Sequence, residues 1–135
     1  MIDCLILGDS IAKGISDIRK ECVAYVKSGI NSHDYFNKRL LNNEQGTAKS
    51  VIISLGSNDT ANINTYEELD NLRKTINAEK VYWILPNIKD SKRKNVWEIA
   101  YKYNDMIIDA RVHERSQDTV HPTYKGYKTL AEETK

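Results

Sequence analysis

Short runs of aliphatic and β-branched residues alternate along this chain with segments whose apolar residues recur every three or four positions. That alternation constrains the fold most. Ile2-Asp3-Cys4-Leu5-Ile6-Leu7, Cys22-Val23-Ala24-Tyr25-Val26, Ser50-Val51-Ile52-Ile53-Ser54-Leu55 and Lys80-Val81-Tyr82-Trp83-Ile84-Leu85 each have the length and content of one buried strand. Helical spacing links Ile11, Ile15 and Ile18. A helix opening at Ser32 carries Tyr35, Phe36, Leu40 and Leu41, and one opening at Thr65 carries Tyr66, Leu69, Leu72 and Ile76. Val96, Ile99, Ala100, Tyr103 and Ile107 predict a long amphipathic helix, and Thr123 to Glu133 a last one. Ala110 to His113 is a weaker candidate for a fifth strand. Strands that alternate with helices imply right-handed crossovers and a parallel sheet of four to five strands covered on both faces, a three-layer α/β/α sandwich.

A chain of 135 residues fits one domain, residues 1–135, with a core that needs no staples. Its 40% apolar and 29% charged content is that of a soluble globular protein. The net charge of +1 gives no bulk attraction to nucleic acid or to an anionic membrane. No apolar run has the length of a membrane span. No basic segment followed by an apolar stretch marks a signal peptide, so the expected location is cytoplasmic, with export by another route left open. Cys4 and Cys22 are expected to be buried free thiols rather than a disulfide or a metal site. The polar, mostly basic stretch from Asp90 to Lys94 is expected to be a solvated face. Oligomeric state has no signal in the sequence.

In such a sheet ligands bind at the carboxyl ends of the strands. Three polar turns follow three strands: Gly8-Asp9-Ser10, Ser28-Gly29 and Gly56-Ser57-Asn58-Asp59. Ser10 lies where a helix begins, among outward-pointing N–H groups, and on that stretch alone its ordinary role is a helix cap. About a hundred residues later stands Asp118-Thr119-Val120-His121-Pro122. An Asp three residues before a His can share one side of a turn with it, accept from its Nδ1 and leave Nε2 to take a proton. Ser10, His121 and Asp118 thus supply a nucleophile, a base and an orienter. Acyl transfer also needs donors for the developing oxyanion, and the candidates are the N–H of Ser10, the N–H of Gly29 and the side-chain amide of Asn58. Gly29 alone reads as a turn, and Asn58 alone as a turn residue bonding its own backbone. Asp9 and Asp59 are expected to be structural carboxylates that hold these loops. His33 and His113 are expected to lie on the surface.

Gly8-Asp9-Ser10-Ile11-Ala12-Lys13-Gly14 resembles the first block of the SGNH hydrolases, the GDSL-type esterases and lipases. Gly56-Ser57-Asn58-Asp59 is similar to their G-x-N-D block, and Asp118-Thr119-Val120-His121 to their closing D-x-x-H block. The three blocks stand in family order across nearly the whole chain. Ile11 replaces the usual Leu, and the second block is reduced to a glycine after the second strand. The resemblance implies a flavodoxin-like fold, Ser10 as nucleophile, His121 as base, Asp118 as its orienter, and an oxyanion hole from Ser10, Gly29 and Asn58. It implies a serine esterase that needs no metal and no cofactor, acting on a small-molecule or carbohydrate ester. The shortness of the chain suggests an open site suited to a small acyl group such as acetyl on a sugar. Two other readings are a phosphate- or nucleotide-binding domain and a non-catalytic carbohydrate-binding or scaffold module of the same fold. Against the former, Lys13-Gly14 has the wrong order for a Walker-type loop.

Overall fold

The computed structural model describes residues 2–38, 46–88, 91–110 and 121–135. Through them the chain runs β1 (Ile2–Gly8), α1 (Ser10–Ile18), β2 (Val23–Val26), α2 (Ser32–Asn37), β3 (Thr47–Ser54), α3 (Thr65–Lys74), β4 (Asn77–Leu85), α4 (Ser91–Lys102), β5 (Met106–Asp109) and α5 (Tyr124–Glu133). The strands pair in parallel in the order β2-β1-β3-β4-β5. From β1 the chain first steps outward to β2, then crosses back over β1 to β3 and continues the other way. The direction of winding therefore reverses between β1 and β3, and the carboxyl ends of those two strands are where sheets of this kind take ligands.

Successive strand residues point to opposite faces, and the core divides accordingly. Leu5, Leu7, Ile53 and Trp83 pack beneath α2, α3 and α4, against Tyr35, Leu69 and Val96 among others. Ile6, Ile52 and Ile84 pack beneath α1 and α5, against Ile11, Ile15 and Leu130.

Several expectations are corrected. A fifth strand is Met106–Asp109, and Ile107 belongs to it rather than to the preceding helix; of the segment expected from Ala110 to His113, Ala110 follows this strand and residues 111–113 lie outside the described residues. Asn104 takes a positive φ of 56°, and the Asp105 N–H donates to the Ala100 carbonyl at 2.8 Å, which closes α4 and turns the chain back into the sheet. The basic stretch before Val96 is not a plain solvated face. It forms the first turn of α4, where Lys92 shares a helix face with Val96 and Ile99. Lys92 is buried and its Nζ donates to the Ile63 carbonyl at 2.6 Å, while Arg93 pairs with Asp109. Leu40 and Leu41 lie outside the described residues.

Cys4 and Cys22 are bonded to each other rather than free, with Cα atoms 4.8 Å apart. The spacing of 18 residues hides their proximity. The β1–α1–β2 crossover lays Val23 beside Leu5, so the residues just before them also meet. Disulfides persist in oxidising surroundings and are rare in a reducing cytosol. No helix among the described residues is long and apolar enough to cross a membrane.

Candidate active site

Ser10 owes its position to the residues before it. Gly8 ends β1 with φ +137°, and a Cβ there would lie 1.9 Å from the Ser54 carbonyl oxygen. Only glycine lets β1 leave the sheet so close to the end of β3. The Asp9 N–H then donates to that same carbonyl at 3.0 Å. The Asp9 carboxylate accepts from the N–H groups of Ile11 and Ala12 and from the Ser54 hydroxyl, the last at 3.0 Å. The cap of α1 is therefore Asp9, and Ser10 is the first residue of the helix rather than its cap. Relieved of that duty, the Ser10 hydroxyl is half-buried and turned to another partner.

That partner is His121, delivered by the packing of α1 on α5. The two helices run side by side in the same direction. Near their far ends the buried Arg19 donates through Nη1 to the carbonyl and the hydroxyl of Thr134, at 2.8 and 3.1 Å. Midway, a Cβ on Gly14 would lie 2.3 Å from the Tyr127 ring, so the helices approach closely there. At the leading ends, Ser10 Oγ lies 2.7 Å from His121 Nε2 across 111 residues of sequence. This is hydrogen-bonding distance for a hydroxyl donating to a neutral imidazole whose proton is on Nδ1. Asp118 and His113 lie outside the described residues.

The loops after β2 and β3 are tied together on the other flank. The Asn58 amide donates through Nδ2 to the Ile30 carbonyl at 3.0 Å, which uses one of its two N–H bonds. Its expected turn role, bonding its own backbone, is replaced by this link to the neighbouring loop. Asp59 accepts from the backbone N–H and hydroxyl of Ser32, at 2.7 and 2.5 Å, and from the Thr65 hydroxyl at 2.6 Å. It has the structural role expected of it. Gly29 is exposed with φ +79°, and an added Cβ would meet nothing within 4 Å among the described residues, so its backbone is accessible on their side. The Lys27 N–H donates to the Gly8 carbonyl at 2.9 Å, which holds this loop beside the start of the Ser10 turn. His33 is exposed, as expected, and contacts Glu68.

Electrostatically the notable group is Asp9. It is fully buried, and burial pushes its pKa up to about 6, against the opposing pull of the Ser54 hydroxyl and the backbone N–H groups of Ile11 and Ala12. Its Oδ2 and the hydroxyl of Ser57 are buried without a hydrogen-bond partner among the described residues. An unpaired buried oxygen costs roughly 1–3 kcal/mol, more when charged. Sequence reasoning missed the capping role of Asp9, although an Asp immediately before a helix is the ordinary signal for it. It also missed Ser54 and the Ile30 carbonyl, and a backbone carbonyl has no signature in sequence. Among the described residues the grouping with metal-ligand character is Cys4, Glu21 and Cys22, where the two sulfurs are already bonded to each other.

No family model and no curated relative matches the sequence. Solved structures do match the fold. A GDSL-like lipase from Bacteroides thetaiotaomicron is 18% identical with a TM-score of 0.70, over 97% of this chain and 84% of that one. A lipase/acylhydrolase from Enterococcus faecalis is 21% identical with a TM-score of 0.67, over 96% and 92% of the two chains. An acetylxylan esterase from Geobacillus stearothermophilus is 16% identical with a TM-score of 0.66, over 96% and 90%. The chain has the fold of the GDSL-type, or SGNH, hydrolases.

Proposed function

We propose that this protein is a serine esterase whose nucleophile is Ser10 and whose general base is His121, acting on small acyl esters, acetyl esters of carbohydrates foremost. The observation that carries the proposal is the 2.7 Å approach of Ser10 Oγ to His121 Nε2. His121 takes the Ser10 proton as Oγ attacks the ester carbonyl, then returns a proton to the departing alcohol. Water, activated by the same imidazole, hydrolyses the acyl-enzyme. The Ser10 N–H, the Gly29 N–H and the remaining N–H of the Asn58 amide hold the oxyanion. Asp118 accepts from Nδ1 of His121 and fixes the tautomer, and residues 1–135 act as one hydrolase domain. The acetyl preference draws on the acetylxylan esterase among the proteins of similar fold.

A phosphate-binding role for the same turn is disfavoured on physical grounds. The buried Asp9 carboxylate already engages the Ile11 and Ala12 N–H groups, which a phosphate would need, and it repels an anion when ionised. The test is hydrolysis of p-nitrophenyl acetate by wild type and Ser10→Ala. The variant is expected to fold normally and lose at least ~10³-fold in kcat. Full activity in Ser10→Ala rejects the assignment.

A further inference from the structure

The far end of the helix that begins at Ser10 is tied down by the chain's two cysteines. The Cys4–Cys22 bond joins residues 18 apart and so encloses the Ser10 turn and all of α1 in one covalent loop. The turn that leaves α1 is held at the same place, where the Cys22 N–H donates to the Arg19 carbonyl at 3.1 Å. The buried Arg19 side chain ties three segments together. Its Nε pairs with Glu21 at 3.2 Å, its Nη1 donates to the carbonyl and hydroxyl of Thr134 at the end of α5, and its Nη2 lies 3.7 Å from Cys4 Sγ. The disulfide therefore rests against the group that clamps α1 to α5. The nine residues of α1, about 14 Å, separate this clamp from the Ser10 turn. α1 and α5 deliver Ser10 and His121 at their other ends, so a change of fit at Arg19 is carried along both helices to the 2.7 Å approach.

The two sulfurs differ in a way that gives the bond a polarity. Cys4 is buried in β1 and faces the Arg19 cation. Cys22 is only partly buried, and the carboxylate of the exposed Glu21 lies 3.8 Å from its Sγ. A cation stabilises a departing thiolate and a carboxylate disfavours one. An attacking thiol is thus directed to Cys22, and the negative charge leaves on Cys4.

We propose that Cys4–Cys22 is a thiol-exchange site, reversible in the folded protein, that governs how closely Ser10 meets His121. The thiolate of a small thiol bonds to Cys22 Sγ as the Cys4–Cys22 bond breaks, and Cys4 departs as a thiolate held by Arg19. A second thiol then attacks the mixed disulfide, forms a disulfide with the first and releases Cys22. Two thiols are oxidised and the protein bond takes their two electrons; one of their protons ends on Cys22 and the other in solvent. With the loop open, Arg19 turns part of its charge from Thr134 to the Cys4 thiolate, and the clamp on α5 loosens. The exchange stands apart from the esterase reading above; its effect on Ser10 rests on that reading.

The experiment has two arms. In the first, the full chain is incubated with glutathione, without denaturant, and trapped with N-ethylmaleimide. Mass spectrometry should find glutathione on Cys22 and the maleimide on Cys4 in the first intermediate. Glu21→Gln, which removes a repelling carboxylate, should speed that step several-fold at low salt, the gain shrinking as salt rises. Exchange that occurs only in unfolding urea, or glutathione chiefly on Cys4, overturns the site. In the second arm, protein reduced with a phosphine and then freed of it is labelled with a fluorophosphonate. Reduction is expected to slow labelling of Ser10 roughly three- to tenfold with the far-UV circular dichroism unchanged, and reoxidation by oxidised glutathione to restore the rate. Cys22→Ser should label at the reduced rate with or without prior phosphine. An equal rate in both states, or loss of the dichroism signal on reduction, overturns the control of Ser10. Failure of the oxidised protein to label at Ser10 instead overturns the esterase reading and leaves the first arm to judge the exchange site alone.

Discussion

The two edges of the sheet are built differently. At the amino edge the buried polar groups described pair with one another. Asp105 accepts from Nε and Nη2 of Arg73, at 2.8 and 3.0 Å, and from the Trp83 indole at 2.9 Å. Arg19 is locked onto Thr134, and Cys4 is bonded to Cys22. At the carboxyl edge Asp9 Oδ2 and Ser57 Oγ are buried and unpaired among the described residues, and one N–H of Asn58 lies outside its bond to Ile30. Helices that run the whole depth of the sheet connect the two ends, so rigidity at one can support groups at the other that are unfavourable by themselves. On the esterase reading, the contrast separates where stability resides from where it is forgone for chemistry.

If that division is real, substitutions at the two edges should separate stability from activity. The largest effect on folding is expected from Asp105→Ala, which strands the mostly buried Arg73 guanidinium and should cost about 3 kcal/mol or more in urea denaturation. Esterase activity per folded molecule should stay close to wild type. An activity loss that exceeds the unfolded fraction would blur the division. Asn58→Ala should do the reverse. Loss of one oxyanion donor is expected to lower kcat by ~10²–10³ in a p-nitrophenyl acetate assay. Its link to the Ile30 carbonyl is a single part-buried bond, so stability should fall by no more than about 1.5 kcal/mol.

A smaller effect should come from Asp9, and its sign is fixed by its raised pKa. The folded protein holds the Asp9 proton up to about pH 6, whereas an unfolded chain releases it near pH 4. Between those values the folded state binds more protons, so this contribution to stability is complete below about pH 4 and is lost as pH rises through 6. Relative to Asp9→Asn, wild type should lose up to about 3 kcal/mol between pH 4 and 7, measured by urea denaturation at each pH. A pH-independent difference between the two proteins would show that Asp9 is solvated or paired after all.

Much of this was legible in the sequence where local pattern and global fold agree. The four main strands, the helices opening near Thr65 and Thr123, and the three turns on one edge follow from alternating periods and turn residues. The approach of Ser10 to His121 was foreshadowed by the order of the motifs, because a parallel sheet brings every strand-to-helix turn to one edge. What failed shares one cause. The Cys4–Cys22 bond, the burial of Lys92 and the link from Asn58 to Ile30 all depend on which segment a crossover lays beside which. Strand β5 was not foreseen at Met106–Asp109 because Ile107 continues the helical spacing of Val96, Ile99 and Tyr103. Only the left-handed Asn104 reveals that the helix has ended.

The central claim is that packing of α1 on α5 holds an activated hydroxyl, and reaction with a fluorophosphonate probe tests it most directly. Mass spectrometry should find the label on the peptide carrying Ser10, and His121→Ala should slow labelling by at least ~10²-fold without changing the melting temperature. Labelling at another residue, or at an unchanged rate without the imidazole, would contradict the account.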